Sequence, residues 1–259
     1  MNTVIQLGPS DLAFSLAFIA AAIALSRLSG LGLEGQLAIA AGRTILQLLA
    51  AGYILAFVFT LNAGGVLVAL GVMISIAAIV SQNRIAKKLK RLFPWIWGSL
   101  FLSTALTLSY IILLIIQPPA WYDPQYLIPL AGMIVGNAMD AATLAGERLV
   151  STLRNSPSEI ETHLSLGATP EQAVSSYRKE AIRASLIPML NRMMVVGLVS
   201  LPGMLTGQVL GGSDPFDAAL YQILILLAIA FADIVVVLVI TEGILRQFFN
   251  RNAQLNYEL

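Results

Sequence analysis

The sequence predicts an all-α, polytopic membrane protein, and three observations carry that prediction. Its 259 residues are 58% hydrophobic and only 11% charged, the profile of a chain solvated by lipid and not of a soluble domain. About seven apolar runs come near the roughly 20 residues needed to cross a hydrocarbon layer. Every second connection between those runs carries Lys or Arg and the alternate ones carry none, which is the pattern that orients helices in a membrane.

The apolar runs are approximately 12–28, 37–59, 64–80, 95–116, 127–149, 186–210 and 218–245. Arg27 follows the first run, and Arg84, Lys87, Lys88, Lys90 and Arg91 follow the third. Arg148, Arg154, Arg178, Lys179 and Arg183 lie between the fifth and sixth, and Arg246 and Arg251 follow the last. The connections 60–63, 117–126 and 211–217 carry no basic residue, and neither does the N-terminal tail. Seven spans with this alternation put the N-terminus outside, the C-terminus in the cytoplasm, and the long connection between the fifth and sixth spans in the cytoplasm as well. No basic n-region precedes the first run, so a cleavable signal peptide is not expected. The whole chain, 1–259, reads as one transmembrane domain.

The outer connections differ in character from the inner ones. Pro118, Pro119 and Pro124 flank Trp121 and Tyr122, aromatics suited to the interfacial belt. The run Gly211-Gly212-Ser213-Asp214-Pro215 is a turn.

The cytoplasmic connection, SPSEIETHLSLGATPEQAVSSYRKEAIRASLI over 156–187, is the longest polar stretch in the chain. Ser156-Pro157-Ser158-Glu159 and Thr169-Pro170-Glu171-Gln172 each place a hydroxyl, a proline and a Glu or Gln at the spacing of a capping box. Gly167 lies between them, where glycine ends one helix and lets the chain turn. Two short helices hinged at Gly167 are therefore expected, presented to a partner or else forming a solvated loop.

Ionisable groups inside a span cost about 2.5–3.5 kcal/mol on insertion scales, so each needs a reason. Arg43 and Gln47 share one face of the second span, and Asn137 and Asp140 share one face of the fifth, with Glu147 two turns on. Asn191, Arg192, Thr206 and Gln208 punctuate the sixth, and Asp233 lies in the seventh. These residues either line a polar pathway or satisfy one another. Arg43 has Asp140 and Asp233 as candidate partners, and Arg192 and Glu147 have the option of reaching the interface by snorkelling.

The fifth and sixth spans carry GxxxG spacings at Gly132–Gly136, Gly203–Gly207 and Gly207–Gly211, which permit close helix approach. Pro202-Gly203 interrupts the sixth. Met133, Met139, Met189, Met193, Met194 and Met204 concentrate in the same two spans, as soft ligands or as packing residues.

Absences narrow the chemistry. With no Cys and one His, disulfides, zinc–thiolate clusters and a serine triad are excluded. No G-x-x-x-x-G-K-[ST] loop is present, so ATP is not bound by this chain in the usual way. A net charge of +1 gives no electrostatic case for nucleic acid. Asp140 and Asp233 are the sole candidate pair for an intramembrane aspartyl protease, and neither sits in a supporting motif. The chain is expected to be non-catalytic.

Glu161-Thr162-His163-Leu164-Ser165-Leu166-Gly167 resembles the cytoplasmic signature of ATP-binding-cassette permeases, with Thr162 and His163 in place of two alanines. Gly136-Asn137-Ala138-Met139, 164–170, Leu186-Ile187-Pro188-Met189, and 201–208 followed by Tyr221-Gln222 resemble the FetB-like iron-export permease family, the UPF0014 group, which includes plant aluminium-tolerance relatives. Leu205 stands where that family suggests a second methionine. The resemblance implies a multi-pass subunit in a bacterial plasma membrane that dimerises and recruits a cytoplasmic ATPase, with ATP and Mg held by that ATPase and no cofactor on this chain. It implies docking through Glu161, Leu166, Gly167, Ala168 and Thr169. The pathway candidates are Arg43, Gln47, Asn137, Met139, Asp140, Asn191, Met204, Thr206, Gln208 and Asp233, with Asn137, Asp140 and Met204 as metal ligands. Iron as cargo comes from the resemblance alone, and related plant proteins are linked to nucleotide-sugar export. A secondary transporter or channel without an ATPase, and a non-transporting membrane scaffold, are the competing expectations.

Overall fold

Lipid offers no hydrogen bonds to a backbone, so the long apolar runs can only be helices or closed barrels, and the chain takes the helical solution. The computed structural model describes residues 8–60, 62–85, 90–250 and 254–255. The basic residues Lys87, Lys88 and Arg251 lie outside the described residues, as does the N-terminal tail 1–7. The helices are α1 (Pro9–Leu28), α2 (Glu34–Val58), α3 (Ala63–Ile85), α4 (Phe93–Tyr110), α5 (Pro124–Asn155), α6 (Pro157–Ser165), α7 (Pro170–Ala173), α8 (Ser175–Val195), α9 (Gly203–Leu210) and α10 (Pro215–Phe248). A π-helical turn, Ile111–Ile116, extends α4 and stops at Gln117, whose φ of 48° is left-handed. Among the described residues there is no strand, only the isolated bridges Val196–Ser200 and Phe249–Leu255.

Six helices are long and apolar enough to cross a membrane: α1, α2, α3, α4 with its π turn, α5 and α10. The seventh expected span, 186–210, is not one helix. It is the second half of α8, a break over 196–202, and the short α9. Pro202 stands at the end of that break, and Gly197 inside it has a φ of 81°, a conformation that glycine adopts without steric penalty.

Two compact units make up the chain. In the first, α1 and α2 pack as a hairpin. The buried Ser26 hydroxyl donates to Glu34 Oε1 at 3.0 Å and accepts from the Leu33 amide at 3.2 Å, tying the two helices at their turn. In the second unit α10 is central, packed mainly on α5 and α4, while α3 packs on α5 and α8 on both α5 and α10. The core runs from Leu100, Ala138 and Ala142 to Leu149, Ile160, Ile240 and Ile244. Polar ties are few: Thr143 Oγ1 donates to Ser81 Oγ at 3.1 Å, joining α5 to α3.

Both long helices start where capping chemistry dictates. Asp123 accepts from the Gln125 amide at 2.9 Å ahead of Pro124, and Asp214 accepts from the Phe216 amide at 2.8 Å ahead of Pro215.

Close helix contact falls elsewhere than the GxxxG spacings suggest. A Cβ added at Gly136, Gly203 or Gly207 meets nothing within 4 Å, and one at Gly132 only touches the Met73 side chain at 3.6 Å. The tight glycines are Gly146, against Ile85, and Gly243, against Trp95, each with its nearest atom at 2.6 Å.

Candidate functional site

Two places in the second unit gather the residues that the sequence singles out. The first is the elbow between α5 and α8. Helix α6 ends in a Schellman turn, with the Ala168 amide reaching the His163 carbonyl at 3.1 Å and the Gly167 amide the Leu164 carbonyl at 3.0 Å. That closure requires a left-handed residue, and Gly167 supplies it with a φ of 90°. Thr169 then caps α7 reciprocally: its hydroxyl accepts from the Gln172 amide at 3.3 Å while Gln172 Oε1 accepts from the Thr169 amide at 2.9 Å. The box expected at Ser156 does not form. Ser156 is the N-cap residue of α6 but makes no side-chain capping bond, because α5 runs on to Asn155 and one residue alone separates the two helices.

Within the elbow, Ile160 is fully buried, and Leu164 and Ala168 pack against the core. Leu166 is 80% exposed, and Glu161, Gly167 and Thr169 are exposed beside it. Tyr177 backs the elbow from α8. Burial pushes its phenol pKa up, and the Glu159 carboxylate acts in the same direction.

The elbow is fastened to α10 by one side chain. Arg178 Nε donates to Thr241 Oγ1 at 3.1 Å, Nη1 to Glu242 Oε2 at 3.1 Å, and Nη2 to the Leu238 carbonyl at 3.2 Å. Glu242 also accepts from Arg246 Nε at 3.0 Å, and the Arg246 guanidinium lies 5.3 Å from the centre of the Trp95 ring. Arg148 pairs with Glu180 at 2.5 Å, joining α5 to α8.

The second place is a cavity of about 440 Å³ at the broken helix. Asn137 on α5, Arg192 on α8, Ser200 in the break, Met204 on α9 and Gln222 on α10 are the groups with heteroatoms or charge that line it, together with Met133. Asn137 Nδ2 donates to the Met133 carbonyl at 2.7 Å, which turns Oδ1 toward Arg192, whose Nη1 donates to it at 2.6 Å. Arg192, itself exposed, is thereby tied by a direct hydrogen bond to the half-buried Asn137 side chain. Arg192 and Asp140 are also the charged groups that act on the buried Asp233.

The remaining pathway candidates separate. Arg43 and Gln47 are exposed on α2 in the first unit. Asn191 is exposed on α8, and Asp140 is exposed on α5 without lining the cavity. Met139 packs against the core, with its carbonyl accepting from Thr143 at 2.7 Å. Thr206 donates back to the Pro202 and Gly203 carbonyls at 3.1 and 3.0 Å, and the buried Gln208 Oε1 has no partner. Of the suggested metal ligands, Asn137 and Met204 share the cavity and Asp140 does not. Among the described residues no group of three His, Cys, Asp or Glu could hold a metal. Met133, Arg192, Ser200 and Gln222, which also line the cavity, were not among the named pathway candidates. Gln222 precedes Asp233 by eleven residues, three turns on one helix face, and that spacing was a usable signal.

No solved structure matches this chain. The chain is 56% identical over 255 residues to a UPF0014 membrane protein of Synechocystis, covering 98% of both. It is 36% identical over 216 residues to the protein ALUMINUM SENSITIVE 3 of Arabidopsis thaliana, covering 83% of this chain and 77% of that one. It is 33% identical over 248 residues to a protein of Escherichia coli named as a probable iron export permease, covering 95% of this chain and 93% of that one. Residues 9–249 match the family described as an uncharacterised protein family, UPF0014, and the chain is a member of that family of membrane proteins.

Proposed function

We propose that the chain is the membrane subunit of an ATP-binding-cassette exporter of iron or a similar metal, working as a dimer with a cytoplasmic ATPase in a bacterial plasma membrane. The observation that carries the reading is the elbow: an exposed Leu166 on a left-handed turn, rigidly capped on both sides and bonded through Arg178 to α10. A rigid knob with an exposed apolar tip suits a partner that pushes on it. Arg178 and the Arg148–Glu180 pair offer mechanical paths from that knob to α10 and α5, two helices that wall the cavity. The relative named as a probable iron export permease supports the metal as cargo.

In this reading α8, the break and α9 together make the sixth crossing. The termini then lie on opposite sides, with the elbow in the cytoplasm. Broken helices at membrane depth are tolerated where they line a cavity, and transporters bind cargo there. A single domain then spans 1–259, with 156–184 as its coupling segment.

The test is to co-express the chain with a cassette ATPase, reconstitute the complex, and measure ATP hydrolysis against metal ions and organic anions. Co-purification with stimulation by Fe(II) is the expected result. An ATPase that does not co-purify, with transport persisting without it, would establish a secondary transporter instead. An anionic cargo has one observation in its favour, since Arg192 is the charged residue among the described lining of the cavity; stimulation by an anion alone would select it.

A further inference from the structure

The cavity at the broken helix is lined by one charged side chain, Arg192, and among the described residues by no carboxylate. Much of the remaining wall is aliphatic, from Val196, Ile225, Leu226 and Ile229. About 440 Å³ with apolar walls and a few placed polar groups is the build of a pocket for a small organic ligand. The lone charge decides the sign of that ligand. A guanidinium carries five N–H donors, and Arg192 spends one bond within the protein, to Asn137 Oδ1 at 2.6 Å, which leaves other donors for an incoming group.

Helix α9 starts at the same wall, since Pro202, Gly203 and Met204 line the cavity. Its first amide to reach a carbonyl behind it is that of Thr206, bonded to Pro202 at 3.1 Å. The amides of Gly203, Met204 and Leu205 precede that bond, and unpaired amides at a helix start carry partial positive charge. A Cβ placed at Gly203 meets nothing within 4 Å, so the start of the helix is open. Gln222 gives an independent sign of a ligand. It is 6% exposed, lines the cavity, and leaves Oε1 without a hydrogen bond. A buried amide on an apolar helix is kept where something pairs with it, and by turning over it offers either N–H donors or its oxygen.

We propose that this cavity binds a small organic acid, with its carboxylate or phosphate against Arg192 and the start of α9, a polar substituent against Gln222, and an apolar body against Ile225, Leu226 and Ile229. The inference goes beyond the metal-permease reading and stands without it. A guanidinium repels a bare cation, whereas a metal enclosed by chelating acids presents carboxylate oxygens. The free acid and the acid carrying a metal therefore share this chemistry.

The test uses the full chain in lipid nanodiscs with radiolabelled salicylate as the probe, empty nanodiscs being subtracted. Wild type is expected to bind salicylate saturably, with benzoate competing well and benzyl alcohol, its uncharged analogue, at least tenfold worse. Arg192→Met should weaken binding at least tenfold by removing a charge-assisted contact, and Arg192→Lys should recover part of it. Gln222→Glu, which sets a carboxylate beside the bound acid, should also weaken binding at least tenfold. Monodisperse elution of the variants excludes misfolding, and the two positions, on α8 and α10, give independent readings. Fe(III) added below the salicylate concentration separates the two sources. Tighter salicylate binding with benzoate binding unchanged identifies the chelate, and unchanged or weaker salicylate binding identifies the free acid; both support the site. No saturable binding by wild type, competition by benzyl alcohol equal to that by benzoate, or binding that survives both Arg192→Met and Gln222→Glu would each overturn the proposal. None of these outcomes bears on the metal-permease reading, which Fe(II)-stimulated ATP hydrolysis in the reconstituted complex decides separately.

Discussion

Gly243 of α10 lies flat against Trp95 of α4: a Cβ built at Gly243 would stand 2.6 Å from indole Cγ and Cδ2 and 2.8 Å from Trp95 Cβ. Atoms so near the root of a side chain cannot rotate away. The contact sets the spacing of the two helices at the end of α10 that Arg178 joins to the elbow, where Arg246 covers the same ring.

Gly243→Ala should therefore destabilise the chain by about 1–3 kcal/mol, the range for overpacking a filled interface. Gly207→Ala makes the contrast, since a Cβ there meets nothing within 4 Å. It should be neutral or stabilising by up to about 1 kcal/mol through helix propensity. Thermal unfolding of both variants in one detergent checks the pair. Equal melting points would show that the Gly243–Trp95 contact does not set the packing.

Arg178 is the second pin of this end of the molecule. Arg178→Met keeps the aliphatic stem but removes three donated bonds, leaving Glu242 with Arg246. Arg178 and Glu242 keep 26% and 34% of their side-chain surface exposed, so solvent screening moderates the loss, which we set at about 2 kcal/mol. Hydrogen exchange should accelerate in α6, α7 and the first turns of α8 and stay unchanged in α3. Unchanged exchange at the elbow would mean that packing of Ile160 alone holds it.

The distribution of apolar runs made the helices legible, because length and hydropathy act locally and tolerate boundary errors of a few residues. The Thr169 box and the Gly167 turn were legible for the same reason: each is a bond between residues three to five apart. What did not show was tertiary. GxxxG spacings mark where a close approach is permitted, but Gly146 and Gly243 are where a bulky neighbour, Ile85 or Trp95, sits, and no local pattern names that neighbour. The partner of Arg192 was hidden by the same limit. On its own helix it has only an interface to reach, whereas across the cavity Asn137 offers an oxygen at 2.6 Å. Ser156 shows the converse, a sequence with the right capping residues whose bond is forestalled by the length of the preceding helix.

Gly167 has open space around the position of a Cβ, so any penalty for substitution comes from its φ of 90° alone. Gly167→Ala should cost about 1–2 kcal/mol, the strain of an L-residue held left-handed, and should leave the elbow formed. Gly167→Pro fixes φ near −65° and removes the amide that bonds the Leu164 carbonyl, so the Schellman turn cannot close. In the reconstituted complex the proline variant should hydrolyse ATP with transport lost, while the alanine variant keeps both. Normal transport by Gly167→Pro would refute a rigid elbow as the coupling element.

Leu166 separates docking from folding. With 80% of its surface exposed, Leu166→Asp removes little packing from the chain itself, and exposed substitutions away from such contacts usually change stability by under about 0.5 kcal/mol. The same change places a charge on the apolar tip that the proposed ATPase would bury, where an unpaired carboxylate is costly. Leu166→Asp should therefore melt like the wild type in detergent yet fail to retain the ATPase through affinity purification. Leu166→Met, which keeps an apolar tip of similar volume, should retain it. An ATPase that co-purifies equally with both variants would move the docking surface away from the elbow, leaving the groove formed by Pro170, Glu171, Leu245, Arg246 and Phe249 as the next place to mutate.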